Sequence, residues 1–191
     1  MKIGIYGGSF DPIHTGHAIV ANFVAQCGFV DEVWIMVSRR NPLKSNDTFA
    51  TDAERLKMAE LTAKNCKNVK VSDFEMSLPS PSYTYDTLTC LRNKYPEHQF
   101  FLIIGSDNYE NFKNWRNHDK IMSEFGLIIY PRPEFHLETQ PDNTVYLSGA
   151  PEFTVSSTLI REYVKDGWDI NFFVPVEVAR FIKEKQLYIS K

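Results

Sequence analysis

Residues 2–17, KIGIYGGSFDPIHTGH, decide the fold of this chain. The apolar run over residues 2–6 is typical of a buried β-strand. Gly7 and Gly8 leave that strand without side chains, which permits a tight turn and the close approach of a ligand to the backbone. A helix is predicted to follow over residues 16–27, because apolar side chains recur there on one face. The stretch is therefore a strand, a glycine turn and a helix.

The same alternation of short apolar runs and longer amphipathic ones continues to the end of the chain. Further strands are predicted at residues 32–38, 69–74, 100–107, 127–132 and 144–149, and further helices at 51–66, 85–95, 120–125, 156–167 and 175–187. Strands that alternate with helices imply βαβ units with right-handed crossovers. The prediction is a single α/β domain over residues 1–191, a Rossmann-like doubly wound, mainly parallel sheet of order 3-2-1-4-5 with C-terminal helices.

The expected strand order brings two unusual loops together. In doubly wound sheets, ligands bind at the carboxyl ends of the strands where the strand order reverses. For order 3-2-1-4-5 this point lies between strands 1 and 4. The loops that follow those strands are GGSFDPIHTGH, residues 7–17, and GSD, residues 105–107.

Composition excludes several classes of protein. The net charge of −3 gives no bulk basic field for nucleic acid, so any polyanion has to be bound by a local cluster. The three cysteines are far apart and form no CxxC pair, which favours a reduced, cytoplasmic protein over a disulfide framework. No apolar run approaches the length of a membrane span, so no membrane partner is expected. A homo-oligomer is compatible with the sequence, which does not determine the oligomeric state.

His14 and His17 bracket the start of the first predicted helix. Their spacing of three places both on one face, over the free N–H groups of the first turn, where an anion binds well. Zinc is a weaker alternative, because no third histidine or cysteine has motif spacing to this pair. Burial as ordinary core histidines is the other alternative. The pattern favours contact with a phosphate.

The loop resembles the (T/S)FDPxHxGH motif of the HxGH nucleotidylyltransferases, while GxGxxG and the P-loop motif are absent. SSTLIR, residues 156–161, also matches an SST-x-[IL]-R motif of that superfamily. The resemblance implies that the two histidines and Arg161 contact the phosphates of ATP and act in catalysis together with Lys44. The residues it implies for ATP binding are Gly7, Gly8, Ser9, Phe10, His14, His17, Gly105, Asp107, Ser156, Ser157, Thr158 and Arg161.

Other segments resemble the bacterial-type nicotinate-nucleotide adenylyltransferase branch of the superfamily. They are the helix start YTYDTL at 83–88, the GSD…W segment at 105–115, and the arginine of YPRPE at 130–134, where Glu134 replaces a family glycine. Leu43 likewise replaces a histidine that the family usually has before the lysine. The residues implied for mononucleotide binding are Gly8, Ser9, Lys44, Thr84, Tyr85, Trp115 and Arg132. From the residues alone, Thr84 and Asp107 are equally well explained as helix N-caps, and Trp115 as a half-buried core residue.

The resemblance implies transfer of AMP from ATP to nicotinate mononucleotide, with Mg²⁺ brought by ATP and no metal held by the protein itself. A preference for nicotinamide mononucleotide, another acceptor such as phosphopantetheine, and a non-catalytic nucleotide-binding module remain as alternatives. A dinucleotide-dependent redox enzyme is disfavoured by the absence of GxGxxG.

Overall fold

A computed structural model describes residues 1–39, 50–79, 81–135, 137 and 140–189. Within these residues the strands are β1 (Lys2–Gly8), β2 (Glu32–Val37), β3 (Val69–Ser72), β4 (Gln99–Gly105), β5 (Leu127–Tyr130) and β6 (Thr144–Tyr146). They form one sheet of order β3-β2-β1-β4-β5-β6, and each of these neighbours pairs in parallel. The predicted order is confirmed, and the sixth strand extends the sheet beyond β5.

Helices connect the strands and cover both faces of the sheet. In the described part of the chain they are α1 (Thr15–Gln26), α2 (Asp52–Ala63), α3 (Thr84–Lys94), α4 (Ser106–Glu110), α5 (His118–Glu124), α6 (Ser157–Lys165) and α7 (Val176–Glu184). Short 3₁₀ helices lie at Phe74–Ser77 and Phe112–Asn114. None of the helices in these ranges combines the length and the apolar character needed to cross a membrane.

The central strand β1 is buried from both sides. Ile3 and Ile5 pack into an apolar cluster with α3 and α5, and Tyr6 joins the cluster formed by α1, α2, α6 and α7 on the opposite face. Successive side chains of a strand alternate between faces, so a strand covered on both sides is apolar throughout. This explains why residues 3–6, which are all buried, form a continuous apolar run rather than an alternating one.

The register of β1 and β4 places their carboxyl ends at the same edge of the sheet. Tyr6 pairs with Ile103, two residues before each strand ends. The loops that follow β1 and β4 therefore start side by side, as the strand order predicted. This edge is where the candidate site is built.

Several helix starts differ from the sequence interpretation. Tyr83, rather than Thr84, is the N-cap of α3, and Gly105, rather than Asp107, is the N-cap of α4. Thr84 and Asp107 are therefore residues of the first helical turn, and the explanation of them as N-caps was wrong. Thr51 and Glu54 form a capping box at the start of α2, because the Thr51 hydroxyl accepts from the Glu54 N–H while the Glu54 carboxylate accepts from the Thr51 N–H.

Candidate active site

Two histidines cap the N-terminus of α1 reciprocally. Nδ1 of His14, the N-cap residue, accepts a hydrogen bond from the backbone N–H of His17 at 3.3 Å. Nδ1 of His17 accepts one from the backbone N–H of His14 at 3.2 Å. The imidazoles stack with their centroids 3.6 Å apart and their planes inclined by 24°. The arrangement is a capping box in which both side chains are imidazoles.

This capping fixes the tautomer of both rings. A neutral imidazole has one N–H donor and one acceptor nitrogen, and here Nδ1 is the acceptor in each ring. The proton of each neutral ring therefore lies on Nε2. The pair presents two Nε2–H donors, which is the form that hydrogen-bonds to phosphate oxygens.

The surroundings of the pair keep both rings neutral. Burial, with a smaller contribution from Arg132, lowers the pKa of His14 from 6.5 to about 4. Burial also lowers the pKa of His17, and His14 and Arg132 lower it further. Phe10 contacts the His17 ring edge-on, with the centroids 4.9 Å apart. At pH 7 the free site therefore offers neutral donors rather than imidazolium cations.

Gly16, between the two histidines, lies where a side chain would make tight contacts. A Cβ at this position would lie 3.1 Å from both Nδ1 of His14 and Cγ1 of Val155. Gly8 is similarly confined, since its Cβ would lie 3.0 Å from the Phe10 ring. At Gly7 no atom of the described residues lies within 4 Å of the Cβ position. Packing therefore disfavours a side chain at Gly8 and Gly16, whereas the described neighbours of Gly7 leave room for one.

The N-terminus of α6 packs directly on the loop that precedes the histidines. The Ser157 hydroxyl donates to the carbonyl of Pro12 at 2.9 Å, and Nη1 of Arg161 donates to the carbonyl of Asp11 at 2.7 Å. Ser156 caps the helix by accepting from the N–H of Leu159. The structure therefore brings together the two motifs, 7–17 and 156–161, that lie about 140 residues apart in the sequence.

Thr158 and Arg161 extend the same end of α6. Nη2 of Arg161 donates to the Thr158 hydroxyl at 3.2 Å, so the guanidinium group is held between its own helix and the loop. A guanidinium fixed in this way offers a preorganised positive charge at the loop that precedes His14. Ser9 lies in the loop of residues 7–17, directly before Phe10, whose ring contacts that of His17.

Arg55 of α2 holds the loop of residues 7–17 by a hydrogen bond to its backbone. The sequence interpretation did not include this residue. Its side chain is fully buried on α2, with Nη1 donating to the carbonyl of Ser9 at 2.5 Å and to that of Ser38 at 2.9 Å. Nη2 pairs with Asp52 at 2.6 Å. Arg55 thus joins the carboxyl ends of β1 and β2. The available signal was its position four residues before Ala59 on the core face of α2, where a charged residue needs partners.

On the other side of the reversal point, Arg132 joins the ends of β4 and β5. Its backbone N–H donates to the Ser106 hydroxyl at 2.8 Å and its Nη2 to the Tyr130 hydroxyl at 3.1 Å. Its Nε lies 3.8 Å from Oδ1 of Asp107. A Cβ on Gly105 would overlap with the Asp107 carboxylate and lie 3.2 Å from the Tyr130 ring. Gly105, Asp107 and Arg132 are therefore one packed group.

Four of the residues implied for mononucleotide binding lie outside the loops described above. Trp115 is half-buried and packs against Phe112, with the ring centroids 5.5 Å apart. The Tyr85 hydroxyl donates to Glu124 of α5 at 3.1 Å. Thr84 starts α3. Lys44 and the rest of residues 40–49 lie outside the described residues. The roles of all four in substrate binding stay predictions.

Over the described ranges, no three His, Cys, Asp or Glu side chains lie close enough together to hold a metal ion. The histidine pair itself has both Nδ1 atoms engaged with backbone N–H groups. The chemistry of the site is therefore that of hydrogen-bond donors and guanidinium groups arranged around a loop and a helix N-terminus.

A cytidylyltransferase-like family model matches residues 5–163, from the second half of β1 to the α6 helix. The chain belongs to this cytidylyltransferase-like family.

Within that family, the relatives that match along nearly the whole chain are nicotinate-nucleotide adenylyltransferases. The chain is 42% identical over 189 residues to a probable nicotinate-nucleotide adenylyltransferase of Cytophaga hutchinsonii, covering 98% of each chain. It is 37% identical over 189 residues to the nicotinate-nucleotide adenylyltransferase of Bacillus subtilis, covering 99% of each. The resemblance indicated by the sequence motifs is confirmed.

The fold is also that of a solved structure from a distant organism. The nicotinic acid mononucleotide adenylyltransferase of Plasmodium falciparum, solved in complex with NaAD, superposes with a TM-score of 0.83 at 23% sequence identity. The match covers 98% of this chain and 97% of that chain. The likeness establishes the doubly wound architecture independently of the sequence motifs.

Proposed function

We propose that this protein transfers the adenylyl group of ATP to nicotinate mononucleotide, giving nicotinate adenine dinucleotide and pyrophosphate in NAD biosynthesis. The observation that carries the proposal is the convergence of two neutral Nε2–H donors with Arg161 and the N-terminus of α6 at the carboxyl end of β1. The full-length similarity to nicotinate-nucleotide adenylyltransferases supports the choice of acceptor.

The reaction needs little from the protein beyond position and charge. A phosphate oxygen of the mononucleotide, already ionised at neutral pH, forms a bond to the α-phosphorus of ATP. The bond from that phosphorus to the bridging oxygen breaks in line, and pyrophosphate leaves with the electron pair. Because the nucleophile is already an anion, no general base is required. Alignment of the two phosphates and stabilisation of the leaving group account for the catalysis.

The residues divide these tasks. His14 and His17 donate hydrogen bonds to the triphosphate, while Arg161 and Lys44 supply positive charge where pyrophosphate develops. Gly7, Gly8, Ser9 and Phe10 form the backbone that the nucleotide approaches, and Ser156, Ser157 and Thr158 direct the N–H groups of α6 at the phosphates. Mg²⁺ enters as part of the ATP complex and would neutralise charge on the triphosphate.

The acceptor would lie on the β4 side of the reversal point. Beside it, Gly105 allows the close approach of ATP, and Asp107 offers a carboxylate that is 39% exposed and suited to the ribose hydroxyls of ATP. Arg132, Trp115, Thr84 and Tyr85 complete the proposed mononucleotide pocket. We further propose that the chain acts as one domain, supported by the single continuous sheet. A cytoplasmic location remains a prediction, consistent with three free thiols.

The test is pyrophosphate release with ATP and Mg²⁺, with nicotinate mononucleotide, nicotinamide mononucleotide and phosphopantetheine offered in parallel. We expect the highest kcat/KM with the first. A preference for the second would retain the chemistry and overturn the acceptor, and no release with any of them would overturn the proposal.

The same assay on His17→Ala ties the activity to the histidine pair. We expect kcat to fall about 10²- to 10³-fold, the usual effect of removing one transition-state donor. A His17→Ala protein with near wild-type kcat would exclude this residue from catalysis.

A further inference from the structure

The segment that follows α7 contacts the loop of residues 7–17. The hydroxyl of Tyr188 donates to Oδ1 of Asp11 at 2.7 Å, although the two residues are 177 positions apart. Asp11 is 3% exposed and Tyr188 is 7% exposed. A buried carboxylate hydrogen-bonded to a buried hydroxyl is among the stronger neutral-to-charged contacts in a protein. It is a specific tie between the C-terminal segment and the loop before His14.

The chain is shaped to make this contact. After α7, the N–H of Gln186 bonds to the carbonyl of Lys183 and the N–H of Leu187 to that of Ile182. With Gln186 at φ 51°, these bonds form a Schellman motif, and the buried Leu187 and Ile182 supply the apolar contact that accompanies it. Tyr188 then also adopts a positive φ, 65°. Two residues with positive φ, Gln186 and Tyr188, thus flank Leu187 where the chain turns the Tyr188 ring inward, and such backbone persists only where the surrounding contacts stabilise it.

Asp11 is the point at which three parts of the chain meet. Its carboxylate accepts from Tyr188, and its carbonyl accepts from Arg161. The next residue, Pro12, accepts from Ser157. His14 follows only two residues later, and its backbone N–H holds Nδ1 of His17. A shift of Asp11 would therefore move the Arg161 guanidinium and the histidine pair relative to each other.

We propose that Tyr188 is a positioning residue for adenylyl transfer, acting through Asp11 to hold the loop that aligns His14, His17 and Arg161. It does not touch the reacting atoms. Burial, and then the adjacent Asp11, raise the pKa of the Tyr188 hydroxyl, so it remains a neutral donor throughout the working range of pH. The proposal rests on the proposed function for its kinetic consequences, and it gives Asp11 a role that the mechanism leaves open.

The kinetic test is a double-mutant cycle of Tyr188→Phe and Asp11→Ala on pyrophosphate release. Tyr188→Phe keeps the ring and removes the hydroxyl, and we expect kcat to fall about 10- to 100-fold because a small misalignment of reacting groups has effects of this size. If Tyr188 acts through Asp11, the double variant retains the kcat of Asp11→Ala within about twofold, since coupled residues are not additive. Tyr163→Phe, the same chemical change on the neighbouring helix α6, is the control and should keep kcat.

A second readout does not depend on activity. In the free protein, ¹⁵N NMR of histidines reports the Nε2–H tautomer of His14 and His17 and the environment of their Nδ1 atoms. We expect Tyr188→Phe and Asp11→Ala to shift these signals and Tyr163→Phe to leave them in place. If wild-type protein releases no pyrophosphate, the proposed function fails while the NMR comparison still decides the positioning role.

Circular dichroism and thermal melts show whether each variant is folded at the assay temperature. Should Tyr188→Phe be unfolded there, the comparison of Asp11→Ala with and without Tyr188→Phe decides the matter, because it tests the Tyr188 hydroxyl where its contact with Asp11 is already removed. Unmoved histidine signals with kcat within twofold of wild type, or losses that multiply in the double variant, would overturn the proposal.

Discussion

Replacing His14 by Asn should reduce the amount of stability that the protein loses when the pH falls below 7. Asn is among the best N-cap residues, so the variant retains an acceptor for the His17 N–H. What it loses is a buried imidazole, 2% exposed, whose pKa falls from 6.5 to about 4 on folding. The effect of the substitution on unfolding as a function of pH can therefore be calculated.

The sign follows from which state takes up the proton first. Because the pKa of His14 is lower in the folded protein, the unfolded chain binds the proton first as the pH falls. The contribution of neutral His14 to stability is fully present above pH 6.5 and is lost as the pH falls toward 4. For a shift of this size, the loss relative to neutral pH is about 2 kcal/mol at pH 5 and about 3 kcal/mol at pH 4.

The measurement is urea unfolding of both proteins at pH 7 and pH 5, with the free energies extrapolated to water. Carboxylates titrate in both proteins, so their contribution cancels in the difference between them. We expect wild type to lose about 2 kcal/mol more than His14→Asn between the two pH values. Equal losses, with equal m-values, would show that His14 is not held neutral by burial, and the assignment of two neutral donors would fail.

Three further substitutions test the packing around the histidines, the support of the loop by Arg55, and the capping of α2. Gly16→Ala should lower kcat by about 10²-fold with little change in melting temperature, because the new methyl group meets the His14 ring and Val155 at 3.1 Å. Arg55→Leu should lower the free energy of unfolding by about 3 kcal/mol in urea, because two partly buried carbonyls and Asp52 lose their donor. Thr51→Ala should reduce stability by about 1 kcal/mol through loss of the α2 capping box while leaving kcat/KM unchanged.

The parts of this molecule that the sequence predicts well are those set by local pattern. The apolar runs located all six strands, and their alternation with helices indicated a parallel sheet, for which right-handed crossovers leave few strand orders open. The pairing of loop 7–17 with residues 156–161 was also predictable, since both motifs belong to one superfamily. Each strand and each motif can be recognised from a short stretch of sequence.

The parts that the sequence did not reveal depend on long-range partners. Arg55 resembles any surface arginine of an amphipathic helix until the carbonyls of Ser9 and Ser38 are seen to meet it. Tyr188 follows an ordinary helix end, and only the left-handed turn at Gln186 directs it to Asp11. The alternative explanation of Thr84 and Asp107 as N-caps was wrong because cap identity depends on backbone angles, which propensity alone does not determine.

The neutrality of the histidine pair determines how the rest of the site has to work. In the proposed reaction, neutral donors hydrogen-bond to the developing charge but bring no positive charge of their own. The compensating charge must then come from groups that stay ionised at every working pH, and a guanidinium is such a group. Arg161 is held by the same loop that ends at His14, so donors and charge move as one unit. The ties from Tyr188 and Arg55 to that loop follow from this requirement, because the unit functions only while its members keep their distances.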